Sequence, residues 1–507
     1  MTRPDSPPPP LTKEDALEQC YKYIFDSDAA IIGPPEVINA LIAEIFETVL
    51  PSCDPGLQQR ILSLLERIRD SGGVFKLMKE LGNTLINCGH ADLLDRHYSR
   101  VLDAVSTDFI SAVNEGGGNG RTVVFLAKVP YFLILREAIY LKRNGYRVFL
   151  VSTWPVSEEL ERTFAENFDA VCSAFGSFRI TRSMVRSLTP DVFHVECWMW
   201  FYCLPRMVIE NKGQAAVVCE FYDVISLYGT RDDYCKIKKP AVVDLEFHLE
   251  RFILRHADAV LHRFPPDAVE VWKETQGAMP REIEFQSYPC PEFIHYSSEK
   301  KSHQDGVKRF VFAGAIPPEK KTHMLGLFGD FGLLGMFRKL VDQGFAVDAM
   351  PPPHYRVEEE DEGYAGIFQL TRDNPRFRIL EGEPPDSLAR RLSVYDFGLY
   401  LYDFGPDLDI LRMNDVQIKR ACSTKLFAYL EAGLPVVVNA EFERPAQIIT
   451  ENGLGIAVYS SEIGRLSEIL VGFDYEESAK NICAFNAKHG MDQQIHRLIA
   501  LYDDILP

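Results

Sequence analysis

Ser423, Thr424 and Lys425 open a stretch running to Val438 that reads as a helix, a Gly-Leu-Pro turn and a buried β-branched strand. A helix that starts on hydroxyl residues is a place for an anion, because its first amides are unpaired and its dipole is positive there. Lys425 in the first turn opposes that dipole, so it is expected to face an anion or solvent. Gly314 and Lys320 point to similar chemistry. A Gly after a strand lets a phosphate or sugar approach the backbone, and a Lys supplies a point charge for a diphosphate. Glu431 follows Ala428 by three residues and projects on nearly the same helix face, as an acceptor for hydroxyls or as a surface carboxylate.

A second group lies earlier in the chain. His194 and Glu196 sit on one side at the C-terminal end of a strand, where open α/β sheets place their ligands. Asp223 ends the next strand. These three are the candidate catalytic and acceptor-contacting groups, against the alternative of a satisfied structural His. Trp198 to Tyr202 form a run that either stacks on a sugar or lipid-linked acceptor or packs the core. Asp403, Asp407 and Asp409 read as a solvated loop. Asp407-Leu408-Asp409 is assigned no metal role, and no metal site is expected.

The chain has 507 residues, enough for two or three domains. Its net charge of -19 argues against nucleic acid as a partner. The 11 scattered cysteines contain no C-x-x-C pair and no zinc spacing, which fits a reducing compartment. The Pro-rich start lacks an apolar signal core, and no apolar run is long enough to span a bilayer. A cytoplasmic protein is expected, with a peripheral position at the inner face of a membrane also allowed.

The elements follow from hydrophobic period. Residues 1–14 are expected to be a disordered Pro-rich tail. Helical spacing in Val37-Ile38-Leu41-Ile42-Ile45-Phe46 and Ile61-Leu62-Leu64-Leu65-Ile68 predicts an all-helical domain over 15–118, a candidate for binding a protein partner. Gly116-Gly117-Gly118-Asn119-Gly120 then reads as a linker. Strand–helix alternation begins at Thr122 and predicts an α/β architecture with two Rossmann-like domains, over 119–300 and 301–480. A C-terminal helix over 481–507 is expected to pack back across them.

Several phrases in this order resemble the GT-B glycosyltransferases, particularly family 4-like members. They are Ser187 to Val195, Glu220-Phe221-Tyr222-Asp223, Arg255-His256-Ala257-Asp258-Ala259-Val260, Phe312 to Lys320, and Ser423 to Val438. The resemblance implies retaining, metal-independent transfer from a nucleotide diphosphate sugar, which is a co-substrate rather than a cofactor. The donor would lie in the second half at Gly314, Lys320, Ser423, Thr424, Lys425 and Glu431. A glycan, lipid-linked or protein acceptor would lie in the first half near His194, Glu196 and Asp223. Three family letters are replaced: the Arg after the Gly by Ala315, the ribose-binding Glu by Ala428, and a His by Glu196. A non-catalytic GT-B scaffold and a sugar-nucleotide epimerase are the alternative readings.

Overall fold

A computed structural model describes residues 12–26, 29–70, 75–115, 120–130, 132–156, 158–277, 279–318, 332–353, 355–403 and 416–506. The Pro-rich residues 1–11, most of the Gly-rich linker, Lys320, Asp407 and Asp409 fall outside these ranges.

The first half holds β1 (Thr122–Ala127), β2 (Arg147–Ser152), β3 (Ala170–Ser173), β4 (Val192–Cys197), β5 (Ala216–Phe221), β6 (Ala259–His262) and β7 (Arg281–Glu284). They form one sheet in the order β3-β2-β1-β4-β5-β6-β7, with every neighbouring pair parallel. The second half holds β8 (Arg309–Ala313), β9 (Ala346–Met350), β10 (Phe377–Ile379), β11 (Phe397–Tyr400), β12 (Val436–Asn439) and β13 (Gly455–Val458). Its order is β10-β9-β8-β11-β12-β13, again parallel throughout. The two Rossmann-like domains expected from the alternation are therefore present. β1, β4 and β5 are buried along their whole length, because helices cover both faces of a parallel sheet.

Three strands escaped the sequence reading: β3, β7 and β13. All three are sheet edges, with at most one fully buried residue each. An edge strand has one neighbour and a partly wet face, so its apolar signal is weak.

The N-terminal region contains helices Lys13–Asp26, Pro35–Glu44, Pro55–Asp70, Phe75–Asn87 and Ala91–Asn114. These helices share one hydrophobic cluster with the first sheet. Val101 and Phe109 belong to the same core as Val124 and Phe149, and the Phe109 and Phe149 rings meet edge-on at 5.8 Å.

At the other end the chain returns. Helix Tyr475–His489 lays Ile482 against the second half. After Gly490, helix Met491–Ile505 crosses to the first half and buries Ile495, Leu498, Leu501 and Tyr502 there. Among the described residues no helix is long and apolar enough to cross a membrane.

Candidate functional site

The motif helix is Thr424–Glu431. Ser423 is its N-cap and accepts from the Lys425 amide at 3.5 Å. Every residue of the helix except Lys425 is buried. Its position is set by Tyr429, whose hydroxyl donates to the Leu399 carbonyl at 2.9 Å and accepts from the Ala313 amide at 2.8 Å. That ring fits only because residue 398 is Gly: a Cβ there would stand 2.3 Å from Tyr429 Cγ. The helix N-terminus is thereby fixed at the C-terminal ends of β8 and β11.

It opens into a cavity of about 290 Å³ between the two halves. Gly314, Ala315, Ser423, Thr424, Lys425 and Ala428 line it, with Trp198 of the first half opposite. Pro351 and Pro352 after β9 and Glu383 after β10 complete it. Glu383 is the one carboxylate among the described lining residues.

Lys425 is held in place. Its Nζ donates to the Tyr402 hydroxyl at 2.5 Å and lies 4.5 Å from the Phe312 ring centroid, 5.0 Å from Tyr402 and 5.5 Å from Tyr400. Gly314 leaves room for it: a Cβ there would stand 3.0 Å from Lys425 Nζ. The sequence treated these two residues separately, and the structure makes them one unit.

A second cavity of about 240 Å³ adjoins the first through Trp198, Ser423 and Thr424. Tyr222, Asp223, Tyr228 and Arg263 of the first half face Tyr400, Tyr402 and Gln417 of the second. Asp223 is half-buried, and its Oδ1 accepts from the Tyr228 hydroxyl at 3.3 Å and from Gln417 Nε2 at 3.4 Å. Burial raises the Asp223 carboxyl, against the pull of the Arg263 charge. Gln417 also bridges the halves through backbone, accepting from the Val224 amide at 3.0 Å and donating to the Tyr222 carbonyl at 3.2 Å.

Of the five described donor candidates and three catalytic candidates, Gly314, Ser423, Thr424, Lys425 and Asp223 line the cleft. Glu431 does not. Its carboxylate is 2 % exposed, takes both Arg136 Nη2 (2.8 Å) and Nε (3.1 Å), and accepts from the Cys290 amide at 2.7 Å. Three residues on a helix turn about 300°, so Glu431 is displaced by about 60° and most of a turn from Ala428. That offset carries it past the cavity to the first half.

His194 and Glu196 are also corrected. Both point into the first half beneath the cleft rather than into it. His194 is fully buried: Nδ1 lies 2.6 Å from the Tyr502 hydroxyl and the ring stacks on Phe125 at 4.8 Å. The returning C-terminal helix, which supplies Tyr502, covers this position. Glu196 accepts from Tyr222 at 2.8 Å and from Trp198 Nε1 at 3.2 Å, and so supports two rings that do line the cleft. Among the described residues one group has metal-ligand spacing: Glu137, His194 and Glu220, all buried, with ligand atoms within 4.8 Å of one another. Burial, then the neighbouring Glu220 charge, pushes the Glu137 carboxyl well above the usual range.

The aromatic run divides its work. Trp198 lines both cavities, while Met199 and Tyr202 are buried. Between them Trp200 has φ 69°, a conformation uncommon for a non-Gly residue. Tyr400, Tyr402, Arg263 and Glu383 were missed. Tyr400, Tyr402 and Arg263 stand at or just beyond strand C-termini, and that position is the signal that was available.

The glucosyltransferase 3-like C-terminal domain matches residues 364–493, which include the motif helix. No curated protein sequence matches the chain. Among solved structures, Anabaena Alr3699/HepE in complex with UDP and glucose is similar, with TM-score 0.50, 15% identity, and 75% of this chain and 99% of that chain covered. Sucrose-phosphate synthase of Thermosynechococcus elongatus aligns at TM-score 0.48 and 11% identity over 75% of this chain and 98% of that one. A Thermobaculum terrenum O-GlcNAc transferase aligns at TM-score 0.46 and 12% identity over 98% and 99%. Two parallel Rossmann-like sheets facing each other across a cleft, and their likeness to HepE, give this chain the GT-B fold.

Proposed function

We propose that this protein transfers a sugar, a hexose in the simplest case, from a nucleotide diphosphate sugar to an acceptor. The observation that carries the reading is the helix N-terminus at Ser423, which opens with Lys425 and Gly314 into the interdomain cavity. The diphosphate would lie at this helix N-terminus, where the helix dipole is positive, with Lys425 as its cation. Charge that develops on the leaving diphosphate would be stabilised by the same groups. The nucleoside would extend toward Pro351, Pro352 and Glu383. Lys320 belongs to this proposal as a second diphosphate cation. Transfer with retention, independence of metal and no cofactor beyond the co-substrate are parts of the same reading. So are a cytoplasmic setting and a protein partner for the N-terminal helices, where Phe46, Leu62 and Ile86 are exposed.

A non-catalytic scaffold is the second reading. It is favoured by Ala428 on the cavity wall, where the family places a carboxylate, and by the commitment of Glu431 to Arg136. A thermal-shift series with UDP-, GDP- and ADP-sugars separates the two, since a ligand of the native state raises its stability by mass action. A shift with one nucleotide class, followed by release of that nucleotide on turnover, supports the transferase. No shift with any of them favours the scaffold.

A further inference from the structure

Three arginines are buried among the described residues: Arg136, Arg206 and Arg263. Two are paired. Arg136 meets Glu431, and Arg206 meets Glu18 at 2.6 Å and Glu210 at 2.9 Å. Arg263 differs. It follows β6 directly, is 5% exposed and lines the second cavity. Its guanidinium lies over the Tyr222 ring, with Cζ 4.3 Å from the centroid. Its side chain makes no hydrogen bond or ion pair with any described residue, and Nε and Nη2 are buried without a partner.

A buried guanidinium with unused donors is costly, by several kcal/mol in general, unless an anion meets it. The Asp223 and Glu137 carboxyls feel its charge through space, but neither takes its N–H groups. Its planar fork matches a carboxylate or phosphate. Tyr400 and Tyr402 line the cavity across from it. Asp223 Oδ2 accepts no hydrogen bond from a described residue, which leaves it for a hydroxyl.

We propose that the second cavity is the acceptor subsite and that it takes a sugar or polyol bearing an anionic group, phosphate or carboxylate, which Arg263 binds. The proposal rests on the transferase reading for the word acceptor, but the anion preference stands on Arg263 alone.

Calorimetry on the full chain tests it, with and without saturating UDP. The probes are glucose, glucose 6-phosphate, glucuronate and inorganic phosphate. At least one of the two anionic sugars is expected to bind ten-fold or more tighter than glucose. A preference for glucose 6-phosphate assigns a phosphate-bearing acceptor, and one for glucuronate an acid sugar. Arg263→Gln should erase the preference while UDP affinity stays within two-fold, and Arg263→Lys should keep part of it. If Arg263→Gln does not fold, Arg263→Lys carries the comparison: a preference unchanged in that variant overturns the proposal. Equal binding of all three sugars overturns it too, as does tight inorganic phosphate binding that ignores both substitutions. Where UDP does not bind, GDP and ADP take its place; failure of all three removes the transferase reading and leaves the anion preference to be read in the protein alone.

Discussion

The guanidinium of Arg136 and the carboxylate of Glu431, 295 residues apart, form a bidentate pair between the two halves, and both side chains are 2% exposed. Burial raises the Glu431 carboxyl, while Arg136 and the Cys290 amide pull it down. A residue that the motif alone offers to a ligand is instead a fastener between domains. Breaking such a pair from one side leaves an uncompensated buried charge, which costs roughly 3–5 kcal/mol, whereas replacing both partners by apolar groups is often close to neutral. Glu431→Leu should therefore lower the unfolding free energy by roughly that amount, and Arg136→Met with Glu431→Leu should recover most of it. Denaturant titration of the two variants decides. Equal losses in the single and double variants would show that shape, not charge, holds the halves here.

Glu246 sets a pH dependence. It is buried in helix Pro240–His256, accepts from the Tyr202 amide at 3.3 Å, and burial pushes its carboxyl up to about 8. From about pH 4.5, where a free carboxyl ionises, to about 8, the folded protein keeps a proton that the unfolded chain has lost. The folded state then binds more protons, so stability falls as pH rises through this window, by up to about 1.4 kcal/mol per pH unit for one proton. Above the folded value both states are ionised and this contribution to the slope ends. Glu246→Gln keeps an acceptor for the amide and should make the curve less steep between pH 5 and 8, where Glu250 of the same helix, pushed up by burial to about 7, also contributes. A melting profile unchanged by the substitution would rule this group out as its source.

Gly314 and Lys425 give a prediction with a small effect on the fold and a large one on the ligand. Gly314→Ala places a methyl 3.0 Å from Lys425 Nζ and 3.3 Å from Cε. The crowded atoms are the far end of a flexible chain, so the protein should fold with its stability changed by less than about 1 kcal/mol. Lys425 must give way by a few tenths of an ångström and the methyl itself enters the cavity at residue 314, where a charge-assisted contact to the diphosphate is worth roughly 1.5–3 kcal/mol. Nucleotide-sugar affinity should fall ten-fold or more. An unchanged affinity in calorimetry would place the diphosphate elsewhere.

Glu383 is tested in the same cavity. Its Oε2 accepts from the Ser387 hydroxyl at 3.1 Å, a bond an amide also accepts. Glu383→Gln should thus leave the melting temperature alone and weaken the nucleoside end of the donor, by about 1 kcal/mol if it accepts one hydrogen bond there. An equal loss for inorganic diphosphate and for the full nucleotide would contradict that placement.

The sheets were legible because buried parallel strands are continuous apolar runs. Val123 to Ala127 and Val436 to Val438 could hardly be anything else. The helix N-terminus at Ser423 was legible because caps are local chemistry. The roles of His194, Glu196 and Glu431 were not, since each depends on what lies across a long chain separation. Tyr502 reaches His194 from 308 residues away, and Arg136 reaches Glu431 from 295. Strand alternation correctly put His194 and Glu196 on one side, but it cannot say which side the returning helix covers. Arg263 stands one residue beyond β6 and was within reach of the strand-end rule that selected Asp223.

Ala428 separates enzyme from scaffold. It lines the first cavity, 4% exposed, one turn along the helix from Thr424 and on the wall that the diphosphate would leave toward the ribose. Glu431 cannot substitute for a carboxylate at this place, because Arg136 and the Cys290 amide occupy it. If a donor binds as proposed, Ala428→Glu supplies an acceptor for two ribose hydroxyls. Each neutral-to-charged hydrogen bond contributes roughly 1.5–3 kcal/mol before the cost of ordering the new side chain. Affinity for a nucleotide sugar should then rise about ten-fold, with a smaller rise for inorganic diphosphate, which has no ribose. A new charge in a half-closed cavity also costs stability without ligand, so the ligand-free melting temperature should drop and be restored by the donor. If the melting temperature drops and no nucleotide sugar restores it, in either the variant or the parent protein, the helix holds no donor. The scaffold reading then stands.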